Sequence, residues 1–340
     1  MRAIILDKIK NPVLGYIKEP EIHSEEEIKI KIKSVGLCGS DLQKICSDED
    51  PKSYLKTSVL GHEFSGTVSN IGKKVNGFYN GQGVVGIPLL PCFRCEPCKN
   101  KSYNLCYNLE TIGRTAQGAF SEYLVLPSKN LRSIPEGMEF DEVALTDVVA
   151  VATHIYNLSK RQKNKHVCIM GDGAIGLICL QLFNNFGNKV YVVGKHQENI
   201  IKSFSGIFLN EKEKSNLEDS CFDLVVEAVG RKQDKTLEEA IRITKPNGNI
   251  IVAGVFPPEY VNHICLRNLF YKEIKLQGAN SYNFSEDKDE FGEALSLMNS
   301  GIIKVKDIIT HKLPLEKFQE GINLMLNKDK SKAIKIVYHL

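Results

Sequence analysis

Four cysteines fall within fifteen residues: Cys92, Cys95, Cys98 and Cys106, spaced Cys-x2-Cys-x2-Cys-x7-Cys. Thiolates at this spacing can converge on one tetrahedral ion at about 2.3 Å each. Two disulfides are the competing reading. They would suit a short secreted chain with a wider cysteine framework, whereas this chain has 340 residues and no apolar leader pattern in MRAIILDKIKNPVLG. The quartet is therefore read as a structural zinc site. A four-sulfur shell leaves no open position, so its metal folds a lobe and does no chemistry.

A second metal site is expected upstream. Cys38 stands in SVGLCGSDLQKI, and His62-Glu63 stand in VLGHEFSGTV. One sulfur, one imidazole nitrogen and a carboxylate from Glu63 or another acid make three protein ligands with one position open, the layout of a catalytic zinc. A lone histidine is more often structural. The preceding Cys-Gly-Ser-Asp and the following quartet reverse that expectation.

The third chemical motif is Gly171-Asp172-Gly173-Ala174-Ile175-Gly176, which follows the apolar run VCIM and opens a helical pattern. In that context the three glycines permit a tight turn, close approach of a pyrophosphate and close helix–strand packing. The helix N-terminus adds N–H donors and partial positive charge for phosphate. An NAD site usually places Asp or Glu at the end of the next strand to accept from the adenosine 2′-hydroxyl. Here Gly194, Lys195 and His196 stand there, and no carboxylate follows until Glu198. Space at Gly194 and charge at Lys195 predict a preference for NADP(H) over NAD(H).

The surrounding elements must position these groups. Residues 1–130 read as short strands and glycine turns, for example 26–36, 64–72 and 119–127. A helix is predicted over 140–159. Strands at 166–170, 189–194, 221–230 and 249–255 then alternate with helices at 174–187 and 235–244, the pattern of a doubly wound parallel sheet. A helix at 290–301 and a terminal strand at 333–340 close the chain. Lys and Arg are interspersed with Asp and Glu at a net charge of +3, so no basic stripe accompanies the quartet and a nucleic-acid partner is not expected. No apolar run reaches the roughly 20 residues needed to span a bilayer, so no membrane partner is expected. Ten cysteines fit a reducing cytoplasm.

Together, GLCGSDL, LGHEFSG, the quartet, GDGAIG and ITHKLPLEKFQEGI resemble the zinc-dependent medium-chain dehydrogenase/reductase family, in its polyol dehydrogenase branch. The resemblance covers essentially the whole chain. It implies an α/β protein in which a GroES-like, mainly β catalytic domain is split around a Rossmann domain. The implied boundaries are 1–149 with a structural zinc loop at 88–107, then 150–275, then a return at 276–340. It implies Cys38 and His62 as catalytic zinc ligands and Glu63 as a direct or transient one. The branch usually has Glu-Pro where this chain has Asp147-Val148, so Asp147 is expected to reach the metal directly or through water. Ser40 falls where the family places a proton-relay hydroxyl. Gln43 replaces a histidine common in relatives and cannot relay a proton as imidazole does. Tyr282 matches a substrate-side tyrosine.

The implied activity is interconversion of a secondary alcohol and a ketone on a polyol or polyol phosphate, with two zincs and NAD(P) and with homodimer or homotetramer assembly. A ketose-phosphate reductase and a cyclitol or aminocyclitol dehydrogenase are alternatives. A non-catalytic nucleotide-binding member is the alternative of another class.

Overall fold

The structure, a computed structural model, describes residues 1–7, 11–46, 57–231, 235–257 and 260–340. By internal packing the chain divides into two compact units. One comprises residues 1–147, 283–299 and 308–340; the other comprises 148–282 and 300–307. The return to the first unit thus comes at 283 rather than 276, and a short excursion to the second unit interrupts it.

The first unit is built on a seven-stranded mixed sheet. Its central strand, Glu27–Gly36, alternates apolar and charged residues. Ile28, Ile30 and Ile32 are buried, while Lys29, Lys31 and Lys33 point the other way, so the period of two sets which face meets the core. Strand Glu63–Ile71 runs antiparallel to it, with Gly36 opposite Glu63. On the other side, Lys335–His339 pairs antiparallel with Val337 opposite Gly36. Residues far apart in sequence therefore flank one glycine. Beneath this sheet Phe120 and Phe318 meet edge to face at 4.7 Å between ring centroids, and Tyr338 packs 5.0 Å from Phe318.

The second unit carries a six-stranded parallel sheet. Its order is Ile207–Leu209, Lys189–Val193, His166–Met170, Phe222–Glu227, Thr244–Val252, Lys275–Gly278. The central strands are near-continuous apolar runs because helices cover both faces. From His166–Met170 the chain goes first to one side and later to the other. The strand order reverses there, and the carboxyl end of that strand is the expected ligand crevice.

Several predicted elements differ in extent, two of them with a local cause. The helix expected over 140–159 is two helices, Phe140–Val143 and Thr146–Leu158. At the break the Thr146 hydroxyl donates to the Val143 carbonyl at 2.7 Å, a local side-chain bond that competes with helix continuation. The strand expected at 249–255 is Thr244–Val252, interrupted by a register shift where Asn247 takes a positive φ. Among the described residues no helix is long and apolar enough to cross a membrane.

Candidate metal centres and dinucleotide turn

The quartet lies on a loop closed by the short helix Glu96–Lys99 and a following 3₁₀ turn. Cys95 Sγ lies 3.5 Å from Cys98 Sγ and 3.7 Å from Cys106 Sγ. A disulfide would bring sulfurs to about 2.05 Å. A tetrahedral ion with metal–sulfur distances of about 2.3 Å separates its ligand sulfurs by about 3.8 Å. The observed spacing fits the ion. The thiols are also electrostatically divided: N–H groups of Arg94 and Cys95 lower Cys92 to about 6, while burial raises Cys98 to about 12. Four thiolates this close need a dication between them, and zinc fits the set.

The second cluster joins Cys38, His62 and Glu63, whose ligand atoms all lie within 4.8 Å of one another. Cys38 precedes the helix Gly39–Cys46, and its carbonyl accepts the first N–H groups of that helix, from Asp41 and Leu42. The turn aims Asp41 back at the cluster. Fully buried, Asp41 places Oδ1 3.4 Å from His62 Nδ1 and 3.6 Å from Lys44 Nζ, and Oδ2 accepts from the Cys38 N–H at 3.2 Å. Burial alone would raise its carboxyl, but His62 beside it holds it well below the usual carboxylate range. With Nδ1 turned to Asp41, Nε2 is the histidine nitrogen left for a metal, the carboxylate–histidine arrangement that orients a ligand. Burial lowers the His62 imidazolium, and the charges of Asp41 and Cys38 outweigh it, leaving its pKa well above the ordinary value.

Glu63 is fully buried, and both of its oxygens accept from Lys335 Nζ, at 2.5 and 2.6 Å. Lys335 also donates to the Leu37 carbonyl at 3.4 Å. The donor set of one thiolate, one imidazole and one carboxylate suits a catalytic zinc. A metal taking Glu63 would have to share that carboxylate with Lys335.

In the second unit, Gly171 takes φ +116° and donates its N–H to the Val193 carbonyl at 2.9 Å. A Cβ on Gly176 would stand 2.0 Å from the Gly171 carbonyl oxygen, whereas one on Gly173 would meet nothing within 4 Å. Gly176 thus serves close packing, and Gly173 leaves an open approach to the N-terminus of helix Ala174–Asn185, with Ala174 and Ile175 in its first turn. Open backbone at a helix N-terminus, at the sheet's switch point, fits a dinucleotide pyrophosphate.

The comparisons with known proteins agree with this geometry. Residues 24–136 match the alcohol dehydrogenase GroES-like domain, and residues 174–300 match the zinc-binding dehydrogenase domain. The chain belongs to the zinc-dependent medium-chain dehydrogenase/reductase family.

Similar proteins include galactitol 1-phosphate 5-dehydrogenase of Escherichia coli K12, 29% identical over 89% of this chain and 90% of that protein. The crystal structure of galactitol-1-phosphate dehydrogenase from E. coli gives a TM-score of 0.88 at 28% identity, covering 100% of both chains. D-xylulose reductase A of Aspergillus oryzae is 27% identical over 89% of this chain and 87% of that one. A zinc-binding dehydrogenase candidate from Sinorhizobium meliloti 1021, bound to NADP, shares the fold with a TM-score of 0.88 at 24% identity, covering 100% of this chain and 99% of that one.

In this dehydrogenase the cluster gathers Cys38, His62 and Glu63, and Asp147 is not part of it. Asp147 sits half-buried in the first turn of helix Thr146–Leu158, where its charge acts on Lys335. Ser40 is the second residue of the helix after Cys38, half-buried and not its N-cap; Gln43 is exposed. Tyr282 is fully buried. Three residues escaped the sequence reading. Asp41 was visible within CGSD but was assigned no role. Lys335, a single charge inside the apolar terminal run, was a signal passed over. Asp172, between two of the turn glycines, accepts from the N–H groups of Lys195, His196 and Gln197.

Proposed function

We propose that this enzyme interconverts a secondary alcohol and a ketone on a polyol or polyol phosphate, using a nicotinamide dinucleotide and one zinc in each of its two clusters. The observation that carries the reading is the Cys38–His62–Glu63 cluster with Asp41 buried behind the histidine. A zinc there would supply Lewis-acid polarisation of the substrate oxygen. The nicotinamide supplies the hydride chemistry, and the protein supplies its binding and orientation.

The chain's own residues do the rest. Cys38 and His62 would hold the metal, and Asp41 orients the imidazole from its Nδ1 side. Glu63, held by Lys335 through both oxygens, would be a direct or transient ligand of that metal. Asp147, whose charge acts on Lys335, would reach that metal directly or through water. Ser40, two residues after Cys38, takes the proton of the substrate hydroxyl. Gln43, exposed on the same helix, stands where a histidine would pass that proton on and cannot do so as imidazole does. Tyr282 matches a substrate-side tyrosine by its place in the sequence and is fully buried within its own unit. Gly171, Gly173, Ala174, Ile175 and Gly176 form the turn that would hold the pyrophosphate, Gly173 by its open backbone and Gly176 by close packing.

The expectation of NADP(H) preference rests on space at Gly194 and on donors at Lys195 and His196. The Asp172 carboxylate fills that space and brings a negative charge beside the same turn. Free thiols at all ten cysteines fit a reducing cytoplasm. The strand Lys275–Gly278 is exposed along its length at the sheet edge, beside exposed Leu266, Phe270 and Tyr271. An open edge and exposed apolar side chains on the preceding helix support homodimer or homotetramer assembly through this unit, which light scattering would measure.

The deciding experiment is initial-rate measurement with polyols, polyol phosphates and ketoses, using both nicotinamide cofactors. Oxidation of a polyol with loss of activity in Cys38→Ser supports the reading. No turnover across the panel by a zinc-loaded protein would point to the non-catalytic alternative.

A further inference from the structure

The glycine at position 194 has a physical cause that the sequence hides. A Cβ there would stand 2.6 Å from the Cβ, Cγ and Oδ2 of Asp172. The space at the end of strand Lys189–Val193 is filled by a carboxylate reaching over from the glycine turn. Asp172 Oδ2 accepts from three successive backbone N–H groups: Lys195 at 2.8 Å, His196 at 2.6 Å and Gln197 at 3.0 Å. Successive N–H groups of this kind form an anion-binding concavity. Here the anion belongs to the protein. All three bonds fall on Oδ2, which leaves Oδ1 of the same carboxylate as the acceptor for a ligand.

We propose that Asp172 is the cofactor-discriminating residue of this dehydrogenase: it supplies, from the glycine turn, the acid missing from the end of the second strand, and it selects NAD(H) over NADP(H). The inference rests on the dinucleotide reading of the GDGAIG turn. An acid in this place accepts from the adenosine 2′-hydroxyl. A 2′-phosphate would bring about two negative charges against the carboxylate and would find the three N–H donors taken. Lys195 offers little counterweight, because it is exposed and its charge already acts on Glu211. Gly194 is then required by Asp172 and says nothing about room for a phosphate.

The test is calorimetric binding of ADP and of 2′,5′-ADP to the zinc-loaded protein, which reads the adenosine half without turnover. The parent should bind ADP at least tenfold more tightly. Asp172→Asn, which keeps the shape and removes the charge, should shift the ratio toward 2′,5′-ADP by at least tenfold. Gly194→Ala should do the same by displacing the carboxylate. A purely structural Asp172 would lower thermal stability in both variants and leave the ratio unmoved, which would overturn the proposal. Tighter binding of 2′,5′-ADP by the parent would overturn it without any variant and leave the dinucleotide reading standing. Failure of both nucleotides to bind would overturn both.

Discussion

Replacing Lys335 with Met should cost this protein several kcal/mol. The ammonium and the Glu63 carboxylate have side-chain exposures of 4% and 0% and meet through both carboxylate oxygens. At 2.6 Å and an effective dielectric constant of about 20, the gross attraction is about 6 kcal/mol. Desolvation of two buried ions offsets much of that. The loss on truncation comes chiefly from leaving Glu63 charged, buried and unpaired, and such losses run about 3–5 kcal/mol. Met fills most of the aliphatic volume, so cavity formation adds little. Urea unfolding of the parent, Lys335→Met, Glu63→Gln and the double variant would form a double-mutant cycle. The double variant should recover much of the loss, because no buried charge is left alone. A Lys335→Met protein within about 1 kcal/mol of the parent would refute the reasoning, and so would a double variant no better than the single one. Zinc content of the same proteins separates folding from metal binding.

Cys95→Ser should lower both total zinc and stability, whereas Cys38→Ser should abolish turnover and leave the fold intact, since a closed site contributes more folding free energy than an open one; elemental analysis and thermal melts would check both. Asp147→Ala should reduce catalytic-zinc affinity or rate by about 10–100-fold with the quartet metal retained; unchanged occupancy and rate would confine Asp147 to helix packing. Asp141 accepts from Ser34, His339 and Lys312 at 2.6, 2.8 and 2.6 Å. Burial raises its carboxyl, but these partners outweigh that and depress it below the ordinary 3.8. A depressed acid contributes stability above its unfolded value that is lost as pH falls through the folded one. Asp141→Asn should therefore weaken the protein by about 1–3 kcal/mol near neutrality and flatten the acid limb of a stability–pH curve; an unchanged acid limb would remove Asp141 as its source.

The sequence by itself determined whatever depends on neighbours along the chain. Ligand spacing at Cys92, Cys95, Cys98 and Cys106 requires only a short loop. The turn at Gly171 to Gly176 is announced by the glycines that its backbone needs, and the alternation in Glu27–Gly36 sets its buried face without reference to any partner strand. Tertiary structure decided what depends on which strands lie side by side. Lys335 meets Glu63 because strands from opposite ends of the chain flank Gly36, and a local window at 333–340 shows only a lysine among apolar residues. Asp147 fits a metal position by its place in the sequence, yet the cluster forms without it, since ligation is set by distance in space. The turn at Gly194 states the difference most directly. Along the chain it reads as the loss of a carboxylate. In the parallel sheet, strand His166–Met170 lies beside Lys189–Val193, and Asp172, which follows the first strand, returns the carboxylate from 22 residues upstream of that glycine.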